Sequence, residues 1–258
     1  MTVTIYDKPV RVLMKDMADA FALQPSQSFT KRQAIDWFAQ HYPKIKTGTI
    51  SAHLIRLSTN AQTRTHYNPK PTEDDVFYQI DGSHFRLYDF ANDPAPIRSG
   101  VGKKTSEPPP DEGSSPNDGP PTGSAEFAYE ADLKNYLAKN LAVIEAGLTL
   151  YEEEGINGIE FPAGGRFIDI LAVDSNNDFV VIELKVSRAY DRVVAQLMRY
   201  MVWIANNQAE TGQKVRGIIV AREISEDLLL ASALVPNVLL FEYQLSFAVH
   251  QANIENAI

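Results

Sequence analysis

Three charged residues stand inside two otherwise apolar, alternating stretches: Asp169 in RFIDILAV, and Glu183 and Lys185 in FVVIELKV. Both stretches read as strands, with a turn at Asn176-Asn177-Asp178 between them. Residues two apart on a strand point to the same face, so Glu183 and Lys185 project together, and Asp169 comes from the neighbouring strand. A charge in an apolar β-run costs several kcal/mol unless it is paired or binds a metal. A structural ion pair is the bland explanation. The helix that follows, SRAYDRVVAQLMRYMVWIA, strengthens the other one: it carries Gln196 and Tyr200 at i and i+4 on one face, with Val193, Leu197 and Met201 as its core side. Phosphodiester hydrolysis needs an activated water and neutralisation of developing charge, both of which divalent cations provide. Mg²⁺ takes oxygen ligands and keeps several waters, so Asp169 and Glu183 suffice, with the Leu184 carbonyl as a third contributor and Mn²⁺ as a substitute ion. Lys185 is the candidate to orient or deprotonate the water or to stabilise phosphoryl charge. Gln196 and Tyr200 would hold the DNA backbone or Lys185. Glu130, near the start of the helix AEFAYEADLKNYLAKNLAVI, and Glu160, on the strand that precedes those two stretches, are further candidates that read equally well as surface acids.

The order Asp169, Glu183-Leu184-Lys185, Gln196-x-x-x-Tyr200 resembles the PD-(D/E)xK nuclease superfamily, including the Gln-x-x-x-Tyr element of its RecB-like branch. More narrowly, GGRFIDILAVDSNNDFVVIELKVSRAYDRVVAQLMRYMVWIA and the later VRGIIVA resemble the C-terminal nuclease domain of NucS-type (EndoMS-type) endonucleases, over about residues 125–245. Ile168 stands where the superfamily has its eponymous proline. The resemblance implies an α/β domain, a central mixed sheet flanked by helices, that cuts DNA with a divalent metal. The first half does not look like the β-rich domain of NucS-type enzymes, so their mismatch or branched-DNA specificity is not carried over.

These elements lie at the back of a 258-residue chain, long enough for two domains. Residues 99–125 hold six prolines, five glycines and five serines and almost nothing apolar, which predicts a flexible linker between domains at 1–98 and 126–258. No apolar run reaches the roughly 18 residues of a membrane span, and the N-terminus lacks a signal-peptide pattern, which predicts a cytoplasmic protein without a membrane partner. Cysteine is absent, excluding disulfides, cysteine nucleophiles and thiolate zinc sites. The net charge of −9 speaks against nucleic acid only on average. Residues 25–70 carry Lys31, Arg32, Lys44, Lys46, Arg56, Arg64 and Lys70 against Asp36 alone.

That basic segment falls in a front half that reads as three helices and a hairpin. Val10, Leu13, Met14, Met17 and Phe21 stripe the first helix, and Ala34, Ile35, Trp37, Phe38 and Tyr42 the second. In the third, Ile50, Leu54 and Leu57 face inward and Ser51, His53, Arg56 and Ser58 face solvent. VFYQID and HFRLY flank Asp81-Gly82-Ser83 as a β-hairpin. This is the order of a winged helix-turn-helix, an α+β module whose third helix enters the major groove. It predicts DNA contacts from Lys31, Arg32, Lys46, Ser51, His53, Arg56 and Arg64, with a protein-docking module as the alternative. His41, His53 and His66 lack the carboxylate or cysteine spacing of metal ligands. The expectation for the whole chain is a Mg²⁺-dependent endonuclease on double-stranded DNA, acting as a homodimer. Its front domain selects the site, in a restriction setting that includes modified bases. A repair nuclease for mismatched, branched or single-stranded DNA and an inactive DNA-binding regulator are the alternatives.

Overall fold

The computed structural model describes residues 5–24, 26–98 and 124–244, and the side chains of 124–129 and of Ser187 are not among those described. The expected linker therefore lies outside the described residues, except that its last two positions already belong to a helix.

In the front half, α1 (Val10–Ala20), α2 (Lys31–His41) and α3 (Thr47–Leu57) follow the predicted apolar stripes. Thr30 caps α2 in a reciprocal capping box with Gln33, which fixes where that helix begins. The predicted hairpin forms as β2 (Phe77–Gln79) and β3 (His84–Leu87), and its turn is tied by Asp81, whose carboxylate accepts from the Ser83 and His84 backbone N–H groups. A third strand, β1 (Ser28–Thr30), pairs antiparallel with β3. At three residues β1 was too short to show a period. Phe29, Phe38, Phe77 and Phe85 join Leu13, Met14, Met17, Ile50 and Leu54 in the core of this half.

The second half begins with α4 (Ser124–Lys139) and then becomes strand-rich: β4 (Thr149–Leu150), β5 (Glu152–Glu153), β6 (Ile156–Asn157), β7 (Ile159–Ala163), β8 (Arg166–Val173) and β9 (Phe179–Ala189). After α5 (Arg192–Asn207) come β10 (Val215–Ile224), α6 (Glu226–Ser232) and β11 (Val238–Glu242). The central sheet runs β11-β10-β9-β8-β4, with β7 also on β8. It is mixed: β9, β10 and β11 are parallel, whereas β8 is antiparallel to β9, as the tight Asn176–Asp178 turn requires. Helix α5 is the crossover between the parallel strands β9 and β10, and it buries Val193, Leu197 and Ile204 against one face of the sheet. Helix α4 covers the other face through Leu133 and Leu137. Strands buried on both faces read as near-continuous apolar runs, which is what VVIEL and GIIVA are. No helix among the described residues is long and apolar enough to cross a membrane.

The two halves share a core. Ala52, Ile55, Ala61 and Tyr67 of the front half lie in one apolar cluster with Tyr151, Phe161, Phe179 and Ile204 of the second. The polar contacts across the boundary are specific: Thr49 Oγ1 donates to Glu153 (2.6 Å) and accepts from Gln208 Nε2 (3.3 Å), and the Glu154 carboxylate accepts from the Ile5 and Val10 backbone N–H groups. Glu154 thereby serves the N-terminal end of α1, which its own cap residue Pro9 leaves without a side-chain acceptor. Gly48 is where α3 comes closest: a Cβ there would stand 2.3 Å from Gln208 Oε1 and 2.9 Å from Phe161.

This interface overturns the assignment of the outer face of α3. Ser51, His53, Arg56 and Ser58 are buried, as is Arg64. Arg56 pairs with Asp74 (3.0 Å) and donates to the Gly155 carbonyl of the second half (2.8 Å). Arg64 donates to the Arg56 and Asp74 carbonyls and to Asp75 (2.9 Å). Both guanidiniums are spent on protein acceptors. His53 is fully buried, and burial lowers its pKa to about 3, so it carries no charge to offer a phosphate. The side of α3 opposite the front core faces the second half of the chain and is closed to a DNA groove. Of the other expected DNA contacts, Arg32 is exposed and paired with Asp36, while Lys31 and Lys46 are half-buried.

Candidate active site

The register of β8 against β9 sets the site. Ile170 lies opposite Ile182, so Asp169 and Glu183 are the next positions along, where the two strands begin to part. Asp169 Oδ2 accepts from the Leu184 backbone N–H at 2.9 Å, so one carboxylate oxygen is fixed by the strand that carries the other carboxylate. Glu183 is buried, and its Oε1 accepts from Lys185 Nζ (2.7 Å) and Gln196 Nε2 (2.6 Å). Gln196 lies 3.4 Å from the Tyr200 hydroxyl, as the i, i+4 spacing on α5 predicts. Glu130, on α4, is close enough for its charge to act on Glu183 and Lys185. The structure therefore brings Asp169, Glu183, Lys185, Gln196, Tyr200 and Glu130 together.

The electrostatics follow from burial. Removal from water, with Asp169 adding like charge, pushes the Glu183 carboxyl up to about 7, against the pull of Lys185. Lys185 is itself held charged: burial works against its ammonium, but Glu183 and Asp169 outweigh that and raise its pKa. Burial and the Glu183 charge raise the Tyr200 phenol.

A divalent cation fits this donor set on one observation in particular. Glu183 Oε2 is buried without a hydrogen-bond partner, on a carboxylate whose ionisation the neighbouring Asp169 opposes. A buried carboxyl oxygen in that position is satisfied by a proton or by a cation, and a bound divalent cation would favour the ionised form. No group of three or more His, Cys, Asp or Glu side chains among the described residues forms a metal cage, so an ion here would rest on two carboxylates, the strand backbone and water.

Two residues of the site were missed by sequence reasoning. Lys134, buried on α4, donates to Glu160 Oε1 (2.6 Å) and lies 3.8 Å from Asp169 Oδ1. Its signal was present, since Lys134 follows Glu130 by four and adjoins Leu133 and Leu137 on a stripe that should have been apolar throughout. Burial opposes its charge, but Asp169 and Glu160 raise its pKa. The other is His66, on the short 3₁₀ helix Gln62–Tyr67, whose Nε2 lies 3.4 Å from Glu160 Oε2. Nothing in local spacing could reveal a partner 94 residues away. Glu160 is thus no surface acid: burial pushes its carboxyl up, but His66 and Lys134 outweigh this and hold it at about 2.

The arrangement is thus two carboxylates at the parting of a strand pair, a lysine two residues beyond the second, and a Gln/Tyr pair on the following helix. Residues 129–235 match the family model for the endonuclease NucS C-terminal domain, and residues 9–87 match a domain of unknown function (DUF7669). Endonuclease NucS of Pyrococcus abyssi is 36% identical over 98 residues, 38% of this chain and 35% of that protein. Endonuclease NucS 2 of Halobacterium salinarum is 39% identical over 101 residues, 39% and 36% of the two chains. The chain spans about a third of the length of these relatives. Among solved structures, an EndoMS–dsDNA complex is 28% identical, covering 45% of this chain and 44% of that one, with a TM-score of 0.38. A repair endonuclease from Pyrococcus abyssi is likewise 28% identical at a TM-score of 0.38, covering 45% and 46%. The second half of the chain is NucS-like.

Proposed function

We propose that this chain is a divalent-metal-dependent DNA endonuclease whose second half hydrolyses phosphodiester bonds. The observation that carries the reading is the buried Glu183 with one oxygen unpartnered, beside Asp169 and bonded to Lys185 and Gln196. Similarity to proteins named endonuclease NucS supports it from outside the geometry. Asp169, Glu183 and the Leu184 carbonyl would hold Mg²⁺ or Mn²⁺, which supplies Lewis acidity at the phosphoryl oxygen and an activated water. Lys185, kept charged by Glu183, offsets the charge that grows on the phosphoryl oxygens. Gln196 orients Glu183 and Tyr200, and Glu130 adds negative charge near the pair.

The front half has the element order of a winged helix, which we read as the module that selects double-stranded DNA. With the outer face of α3 closed, its contacts fall to Arg32, Lys44 and Lys70, which are exposed, and to the half-buried Lys31 and Lys46. A site with a single carboxylate pair cuts one strand at a time, so cutting both strands of a duplex calls for a homodimer. Restriction of foreign DNA is the setting proposed. Repair is the second reading, favoured by the NucS-like second half. Incubation with methylated plasmid, unmethylated plasmid and mismatched duplex in Mg²⁺, followed by sequencing of the ends, separates them. No cleavage of any of the three, in Mg²⁺ or Mn²⁺, refutes the nuclease reading.

A further inference from the structure

Glu160 has a left-handed backbone (φ 48°) within β7, a conformation that a non-glycine residue keeps only where its surroundings over-determine it. Those surroundings come from the front half. The Tyr67 hydroxyl donates to the Glu160 carbonyl (3.2 Å), and the neighbouring His66 reaches its carboxylate. His66 is itself held, since its own carbonyl accepts from Asn157 Nδ2 at 2.8 Å. The other carboxylate oxygen of Glu160 takes the Lys134 ammonium, which is buried and reaches on to Asp169 Oδ1. Asp169 is thus held from two sides, Oδ2 by the Leu184 N–H and Oδ1 by Lys134.

From this chain of contacts we infer that His66 is a positioning residue for cleavage: acting through Glu160 and Lys134, it sets the Asp169 carboxylate, so the front half completes the site. Such a residue touches neither DNA nor metal, and its loss shows in the chemical step. Partners of this kind typically matter about 10- to 100-fold in activity or metal affinity. The inference rests on the nuclease reading for its kinetic readout alone.

The test uses the full chain as wild type, His66→Ala, His66→Gln, Glu160→Gln and the His66→Ala/Glu160→Gln double variant. Single-turnover cleavage is measured at saturating DNA, alongside DNA affinity with Ca²⁺ in place of Mg²⁺. His66→Ala should slow the single-turnover rate about 10-fold or more with affinity unchanged, and His66→Gln, which keeps an N–H donor near the Nε2 position, should recover most of it. The double variant should be no slower than Glu160→Gln alone, because both substitutions break one chain. A wild-type rate in His66→Ala, a loss confined to DNA affinity, or rate losses that multiply in the double variant would overturn the inference. Should His66→Ala fail to fold, Glu160→Gln still decides through NMR, with His66→Gln serving to assign the His66 ring resonances: those resonances must move in Glu160→Gln, and unmoved resonances refute the contact. That spectrum also separates the two ideas, since a wild type that cuts no DNA sinks the nuclease reading while the resonance still reports the positioning.

Discussion

Replacing Arg56 by alanine distinguishes a helix that reads DNA from one that joins two halves of a protein. Arg56 is buried, pairs with Asp74 and donates across the boundary to the Gly155 carbonyl. Removing one partner of a buried pair costs about 3–5 kcal/mol, because the remaining charge is left uncompensated. Asp74 keeps one donor, the Lys70 backbone N–H at 2.9 Å, which places the loss near the lower end, about 3 kcal/mol. The lost bond to Gly155 adds about 1 kcal/mol. With a urea slope of about 3 kcal/mol/M, a deficit of about 4 kcal/mol lowers the unfolding midpoint by roughly 1 M. The assay is equilibrium urea unfolding of the full chain, followed by circular dichroism, beside a DNA titration on several sequences. A helix exposed to the groove predicts the reverse, an unchanged midpoint and about 1–3 kcal/mol lost at a single base. That result would refute the interface.

Other expectations are direct. Glu183, with its folded pKa raised to about 7 from an ordinary 4.5, keeps a proton that the unfolded chain has lost, so metal-free stability should fall as pH rises from about 4.5 through about 7. Glu183→Gln should remove that fall in thermal melts across pH; a wild type equally stable at pH 5 and pH 8 contradicts it. Asp169→Ala and Lys185→Ala should abolish cleavage yet melt as cooperatively as wild type, and wild-type rates in either would mean the site is misplaced. Exchanging Lys46 for Ala should weaken all duplexes about equally and reduce the salt dependence of binding by about one ion, read from titrations at several salt concentrations. Double-strand cutting should rise more steeply than linearly with protein concentration, whereas a rate per chain independent of concentration argues for a monomer.

The NucS-like half was legible because its signal is an expense. An Asp, a Glu and a Lys in apolar strands stand out against a regular pattern, and β-strand periodicity alone places them at one spot. The hairpin and the three front helices were legible for the same reason, each having a clean period and local turn or cap chemistry. The outer face of α3 was not. Ser, His and Arg on a helix read alike whether they meet a phosphate, water or another protein surface, and the partners that settle the matter, Glu153 and Gly155, lie about a hundred residues downstream. Flanking a proline-rich segment, the halves looked independent, yet Ile55 and Tyr67 pack into the same cluster as Phe161. Lys134 was readable as a charge on a helix stripe. His66 was not, because its partner comes from the other half of the chain.

The most direct test is cleavage of supercoiled plasmid and linear duplex by wild type and by Glu183→Gln, each with Mg²⁺, with Mn²⁺ and with EDTA. The buried, half-partnered Glu183 predicts cutting by wild type with either ion, none in EDTA, and none by Glu183→Gln under any condition. Cleavage that persists undiminished in EDTA or in the variant would contradict a metal-dependent site at Asp169 and Glu183.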